Sequence, residues 1–157
     1  MNIPKKPNRR QREFHQDIKH EAGYEAKDEK DAIRTMCMDA ILHTLEFAGS
    51  HAVIFTRTPD DCEAVTRAVK SLAAKAADCE IDGSYVDVRW RHDGTIAVKC
   101  ISDDIEDLRR YAGSEWNWMY FYKKELFTEQ QYGYLRTRAR SYPRSRIYSV
   151  RSITIRT

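Results

Sequence analysis

The run His51-Ala-Val-Ile-Phe-Thr56 constrains this chain more than any other segment. It is short, apolar, and rich in β-branched and aromatic residues, so it reads as a buried strand. Helical periodicity flanks it on both sides. Upstream, Ile33, Met36, Cys37, Ala40, Ile41, Thr44 and Leu45 fall on one stripe at three- and four-residue steps, which predicts a helix over Ala32–Phe47. Asp31 is placed to cap it, and Ala48-Gly49-Ser50 to stop it. Downstream, Thr58-Pro59-Asp60-Asp61 opens a second helix that runs to about Ala77, with Val65, Ala68, Val69 and Leu72 as its apolar stripe.

The same alternation continues to the end of the chain. Tyr85–Trp90 and Thr95–Ile101 are strand-like and joined by Arg91-His92-Asp93-Gly94, a hairpin signal. Residues 103–112 are predicted helical, with Gly113 as their end. Trp116–Tyr122 reads as a core strand, and its aromatic side chains fill the core on both faces of a sheet. Thr128 caps a helix from Glu129 to about Arg140, and Arg146–Ile155 alternates as a final strand with Ile147, Ser149, Arg151 and Ile153 on one side. This order predicts a single α/β domain over 13–157, with a mostly parallel sheet, flanking helices and an inserted hairpin. Residues 1–12 carry Lys5, Lys6, Arg9, Arg10 and Arg12 beside Pro4 and Pro7, and are expected to form a basic flexible arm.

Charge and composition narrow the functional classes. The net charge of +3 allows a nucleic-acid partner without demanding one. No apolar run approaches the roughly 20 residues that span a bilayer, and MNIPKKPNRRQREF has no apolar segment after its basic residues. A cytoplasmic protein without a membrane partner is the expectation. Cys37, Cys62, Cys79 and Cys100 form no Cys-x-x-Cys pair and the five histidines are scattered, so free thiols, mostly in the core, and no metal are expected. Asp103, Asp104, Glu106 and Asp107 suit a helix N-terminus better than a metal site.

The segment Gly113–Arg140, GSEWNWMYFYKKELFTEQQYGYLRTRAR, resembles the Walker B region of phage large terminase subunits. That family's frame is a Gly-x-Glu segment, an apolar strand, a Phe-Thr turn and a helix ending in arginines. Here it is Gly113, Glu115, Trp118–Phe121, Phe127-Thr128 and Arg136, Arg138 and Arg140. Pro7, Gln11 and Phe14 are similar to the family's adenine-contacting segment, and Thr56-Arg57-Thr58 to its Arg-containing strand end. The resemblance implies a P-loop-ATPase-like fold without the nuclease domain.

The residues of the family's chemistry are replaced. A P-loop needs glycines to wrap phosphates, a Lys for the β/γ-phosphates and a Ser or Thr for Mg²⁺. The aligned segment, Tyr24–Asp31, keeps Lys30 but has Asp31 in place of the hydroxyl residue, and Glu25, Asp28 and Glu29 bring carboxylates where phosphates would sit. At Walker B, the metal-positioning Asp aligns with Tyr122 and the water-activating Glu with Lys123. Lys30, Asp31, Tyr122 and Lys123 are therefore read as degenerate ATPase positions, with no catalytic residue, no bound cofactor and no nucleotide.

Arg136, Arg138, Arg140, Tyr142, Arg144 and Arg146 are the candidate partner-binding or nucleic-acid-binding residues. Arginine with tyrosine suits a protein interface, phosphate contact and base stacking, and equally a solvated helix face with an edge strand. Two functions follow. The first is a non-catalytic phage protein acting on a protein partner, either in packaging or as a decoy or inhibitor of host antiviral defence of the anti-CRISPR type. The second is a small nucleic-acid-binding module. An active DNA-packaging ATPase ranks below both.

Overall fold

The computed structural model describes residues 6–81, 85–140 and 147–156. In chain order the elements are α1 Arg9–Gln16, β1 Glu21–Ala26, α2 Glu29–Glu46, β2 His51–Thr56, α3 Pro59–Ala76, β3 Cys79–Ile81, β4 Val88–Trp90, β5 Thr95–Cys100, α4 Ile105–Arg109, β6 Trp118–Tyr122, α5 Glu129–Arg136 and β7 Ser149–Ile155. One sheet runs in the order β1-β7-β6-β2-β5-β4-β3. Its first five strands are parallel, and the β5-β4 and β4-β3 pairs are antiparallel. The expected, mostly parallel sheet places β2, β6 and β7 side by side in its middle, and the expected hairpin holds as β4-β5.

Strand alternation divides the core. Ala52, Ile54, Trp118, Tyr120 and Ile153 face α1, α2 and α3, while Val53, Phe55, Met119, Phe121 and Val150 face the layer that contains Leu108 and Leu135. Helix starts follow local chemistry. The Thr58 hydroxyl accepts from the Asp61 N–H with Pro59 in the first turn, and Thr128 and Gln131 form a reciprocal capping box at α5.

Several expectations are corrected. α2 begins earlier than predicted, because Asp28 is its cap and Asp31 lies inside its first turn. The basic arm does not extend to residue 12. Asn8 and Gln11 exchange capping hydrogen bonds, and Phe14, 4% exposed, anchors α1 to the core. β1 hides in a segment that reads only as dense charge: Tyr24 and Ala26 are buried while Glu21, Gly23 and Glu25 are exposed. α5 ends at Arg136, because the segment around Ala139 pairs with Trp116 instead: the Trp116 N–H donates to the Arg138 carbonyl and the Arg140 N–H to the Trp116 carbonyl. Of the four cysteines only Cys37 is buried, and burial pushes its thiol up to about 12.

Gly94 closes the β4-β5 hairpin against α2. A Cβ there would lie 3.0 Å from the Thr44 carbonyl oxygen, 3.2 Å from that of Ser50 and 3.1 Å from the Trp90 ring. The Trp90 ring cannot swing away freely, since its Nε1–H donates to the Thr44 hydroxyl at 2.8 Å. Gly94→Ala is expected to cost about 1–3 kcal/mol, measured as a lower urea midpoint with an unchanged m-value.

Candidate functional site

The carboxyl ends of the parallel strands gather the degenerate ATPase positions at one edge of the sheet, where open α/β sheets hold ligands. β1 ends at Ala26 and α2 starts at Glu29, so Lys27 and Asp28 alone form the turn. Tyr24, Glu25 and Ala26, aligned with the start of a P-loop, are strand residues instead. The remaining donors are turned inward. The Asp31 carboxylate accepts from the Lys27 N–H at 3.0 Å, the Tyr24 hydroxyl at 2.9 Å, the Gln11 amide at 3.0 Å and the Thr35 hydroxyl at 3.0 Å. Burial alone would raise this carboxyl, but these hydrogen bonds hold it below its ordinary value. The Asp31 N–H donates in turn to Asp28 Oδ1 at 2.8 Å.

At the end of β6, Lys123 adopts a left-handed backbone with φ 55° and ψ 62°. Its ammonium lies 2.6 Å from Glu29 Oε1 and 3.2 Å from an Asp61 carboxylate oxygen, joining the first turns of α2 and α3. Burial works against the ammonium, but the bonds to Glu29 and Asp61 hold its pKa above the ordinary lysine value. Tyr122 is 1% exposed, and burial with the nearby carboxylates of Asp61 and Glu29 raises its phenol. This donor set does not fit a magnesium-bound triphosphate: a lysine ammonium sits between the two carboxylates, and the two-residue turn has too few N–H groups to wrap phosphates.

The carboxylates expected to crowd this turn are dispersed. Glu25 pairs with Arg156 at 2.8 Å, Glu29 with Lys123, and Asp28 caps its helix. Glu25 lies on β1, Asp28 in the turn and Glu29 in α2, so a run of acids in sequence is not a cluster in space. Arg57 binds the carbonyls of Ile101 and Leu126 and the Asp103 carboxylate, tying three loops together at the same edge.

The candidate arginines separate into two places. Arg136 reaches Glu21 on β1 and stacks over Tyr132, its Cζ 5.5 Å from the ring centroid. Arg138 donates to the Ala112 carbonyl, and Arg140 lies 3.5 Å from Glu115. Tyr142, Arg144 and Arg146 lie outside the described residues.

Sequence reasoning missed a charged cluster in the interior. Asp39 and Arg151 are both fully buried, with Arg151 Nε 2.6 Å from Asp39 Oδ2 in an ion pair whose angle falls outside hydrogen-bond geometry. The guanidinium also donates to Asp39 Oδ1 at 3.2 Å and to the carbonyls of Phe14 and Asp17, each at 2.6 Å. The Tyr120 hydroxyl and His15 Nδ1 complete the shell of Asp39, each at 2.7 Å. His43 stacks on Trp118 with ring centroids 4.4 Å apart, its Nε2 3.3 Å from Asp39. Burial would raise Asp39, but Arg151 and the histidine contacts hold it far below the ordinary carboxylate range. The available signal was Arg151 on the inward side of its strand, together with Asp39 and His43 on the packed face of α2.

No family model matches the sequence, and no curated protein matches it. Solved structures do match in shape. The large terminase ATPase domain of Thermus phage P74-26 superposes with a TM-score of 0.64 at 12% sequence identity, over 96% of this chain and 66% of that one. An arginine-to-alanine variant of the same domain gives 0.63 at 11% identity, over 96% and 66%. The chain thus spans just under two thirds of that domain, and its fold is similar to that of a phage large terminase ATPase domain.

Proposed function

We propose that this chain is a non-catalytic, phage-encoded binding protein with a terminase-like pseudo-ATPase fold, acting in the host cytoplasm through protein–protein contact. The observation that carries this reading is Lys123. Its ammonium bridges Glu29 and Asp61, in the place where the resembling family holds a metal and a general base. The partner is a component of phage packaging, or a host antiviral defence protein for which this chain is a decoy or an inhibitor of the anti-CRISPR type. Among the described residues, no helix is long and apolar enough to cross a membrane.

Two measurements test the reading. Mg²⁺-dependent ATP hydrolysis is expected to stay at background, and a turnover abolished by Lys30→Ala would overturn the proposal. Replacing Arg136 and Arg140 together by alanine is expected to raise the off-rate of the partner complex by about tenfold or more, with weak salt dependence. The second reading, nucleic-acid binding, is favoured by Tyr132, whose ring is flanked by Lys124 at 4.8 Å and Arg136 at 5.5 Å. It predicts instead an affinity that falls linearly with log salt, at a slope near −0.7 to −0.9 per phosphate contact.

A further inference from the structure

Two of the four cysteines converge on one corner of the molecule. Cys100 is the last residue of β5 and pairs in register with Thr56, the last residue of β2. Side chains two residues apart on a strand share a face. Thr56 and Cys100 therefore continue the rows Ala52, Ile54 and Ile96, Val98, which pack with Val65 and Val69 of α3. α3 opens on that face directly after β2, with Arg57 alone between the strand and the Thr58 cap. Cys62 sits in the first turn, where its N–H donates to the Thr58 carbonyl at 2.9 Å, and it packs against the same core cluster. Both thiols thus lie at the carboxyl ends of β2 and β5, on the α3 side of the sheet. Cys100 is exposed and Cys62 half-buried, so a reagent in solution reaches the pair.

We propose that Cys62 and Cys100 form a reversible disulfide by exchange with a small disulfide such as oxidised glutathione, pinning the start of α3 to the end of β5. The Cys100 thiolate attacks one sulfur of the reagent, whose S–S bond breaks and releases one thiol. The Cys62 thiolate then attacks the Cys100 sulfur and expels the second. Two protein thiols are oxidised, the reagent is reduced to two thiols, and the two protons pass to the leaving sulfurs. Burial, and next the neighbouring Cys62, raise the Cys100 thiol, against a lowering by Thr56 and Arg57. Exchange is therefore slow at neutral pH and quickens as pH rises. The other two cysteines do not compete. An S–S bond needs Cα atoms within about 7 Å of each other. Cys79 pairs with Trp90, level with the start of β5, about 17 Å of strand away from Cys100. Cys37 is buried, its thiol pushed up to about 12 and turned to the Val65 carbonyl. The pair rests on neither the proposed protein partner nor the lost ATPase chemistry.

The test is oxidation of the full chain with oxidised glutathione, followed by alkylation of the remaining thiols and peptide mapping. The expected product has lost two hydrogens and carries the Cys62 peptide linked to the Cys100 peptide of the same molecule, and a reducing agent restores both thiols. Its rate of formation is expected to rise about tenfold per pH unit between pH 7 and 8.5. Its urea midpoint is expected to lie above that of the reduced protein, because the bond closes the loop 62–100. Cys62→Ser is expected to stop at a glutathione adduct on Cys100, while Cys79→Ser forms the link at the parent rate. Where Cys62→Ser folds poorly, the map of the parent chain alone decides. The proposal is overturned if that map lacks the link between Cys62 and Cys100, if another pair is linked in its place, or if Cys62→Ser loses two hydrogens as fast as the parent.

Discussion

Asp39→Ala is expected to destabilise the fold by about 3–5 kcal/mol, a large share of the roughly 5–15 kcal/mol that holds a domain together. The loss comes from what remains behind. Arg151 stays fully buried with carbonyl partners but no counter-charge, and Tyr120 and His15 lose their acceptor. A buried charge stripped of its partner costs more than the pair contributes. The combined replacement Asp39→Leu with Arg151→Met is therefore expected to be less destabilised than Asp39→Ala. Urea denaturation of the single and double variants measures the coupling, and costs that simply add would show that Asp39 and Arg151 act independently.

Acid is expected to unfold the protein steeply, for the same reason. The folded carboxyl of Asp39 is held far below its ordinary value, about 3.9. A depressed folded pKa contributes stability that is fully present above the unfolded value and is lost as pH falls toward the folded one. Below about pH 3.9, Asp39 alone removes about 1.4 kcal/mol per pH unit. Asp31, also depressed, adds to the slope. Thermal unfolding between pH 5 and pH 2 checks this. Asp39→Asn is expected to be less stable at pH 5 yet to lose stability more slowly with acid, and a parallel decline in both proteins would remove Asp39 as the cause.

Where one physical signal dominates a segment, sequence and structure agree. β2 and α3 match their expected spans closely, since unbroken apolar character and a Thr-Pro start leave little choice. β6 was legible because large aromatic side chains need two faces to pack on. β1 was not, because an edge strand with Glu21 and Glu25 on its open face looks like solvated charge. The site divides in the same way. The loss of the hydroxyl residue at Asp31 and of the acidic pair at Tyr122-Lys123 could be read from residue types. The fate of each charge could not, since Lys123 meets Glu29 across 94 residues and Arg136 meets Glu21 across 115. The interior cluster was hidden because alternation puts Arg151 inward without naming Asp39, 112 residues earlier, as its partner.

Sheet order also dictates when the molecule can be finished. β7 lies between β1 and β6, and the Ser149 hydroxyl donates to the Lys19 carbonyl across 130 residues. A ribosome delivers α1 and β1 early, with no strand beside them and with the carbonyls of Phe14 and Asp17 still lacking the Arg151 guanidinium. Until β7 leaves the exit tunnel, the growing chain carries an unpaired strand and an Asp39 without its Arg151 partner. Assembly must therefore wait for the final strand, and a closing step that joins such distant segments is slow. For as long as it lasts, the nascent protein is an open template for chaperones and for other nascent copies.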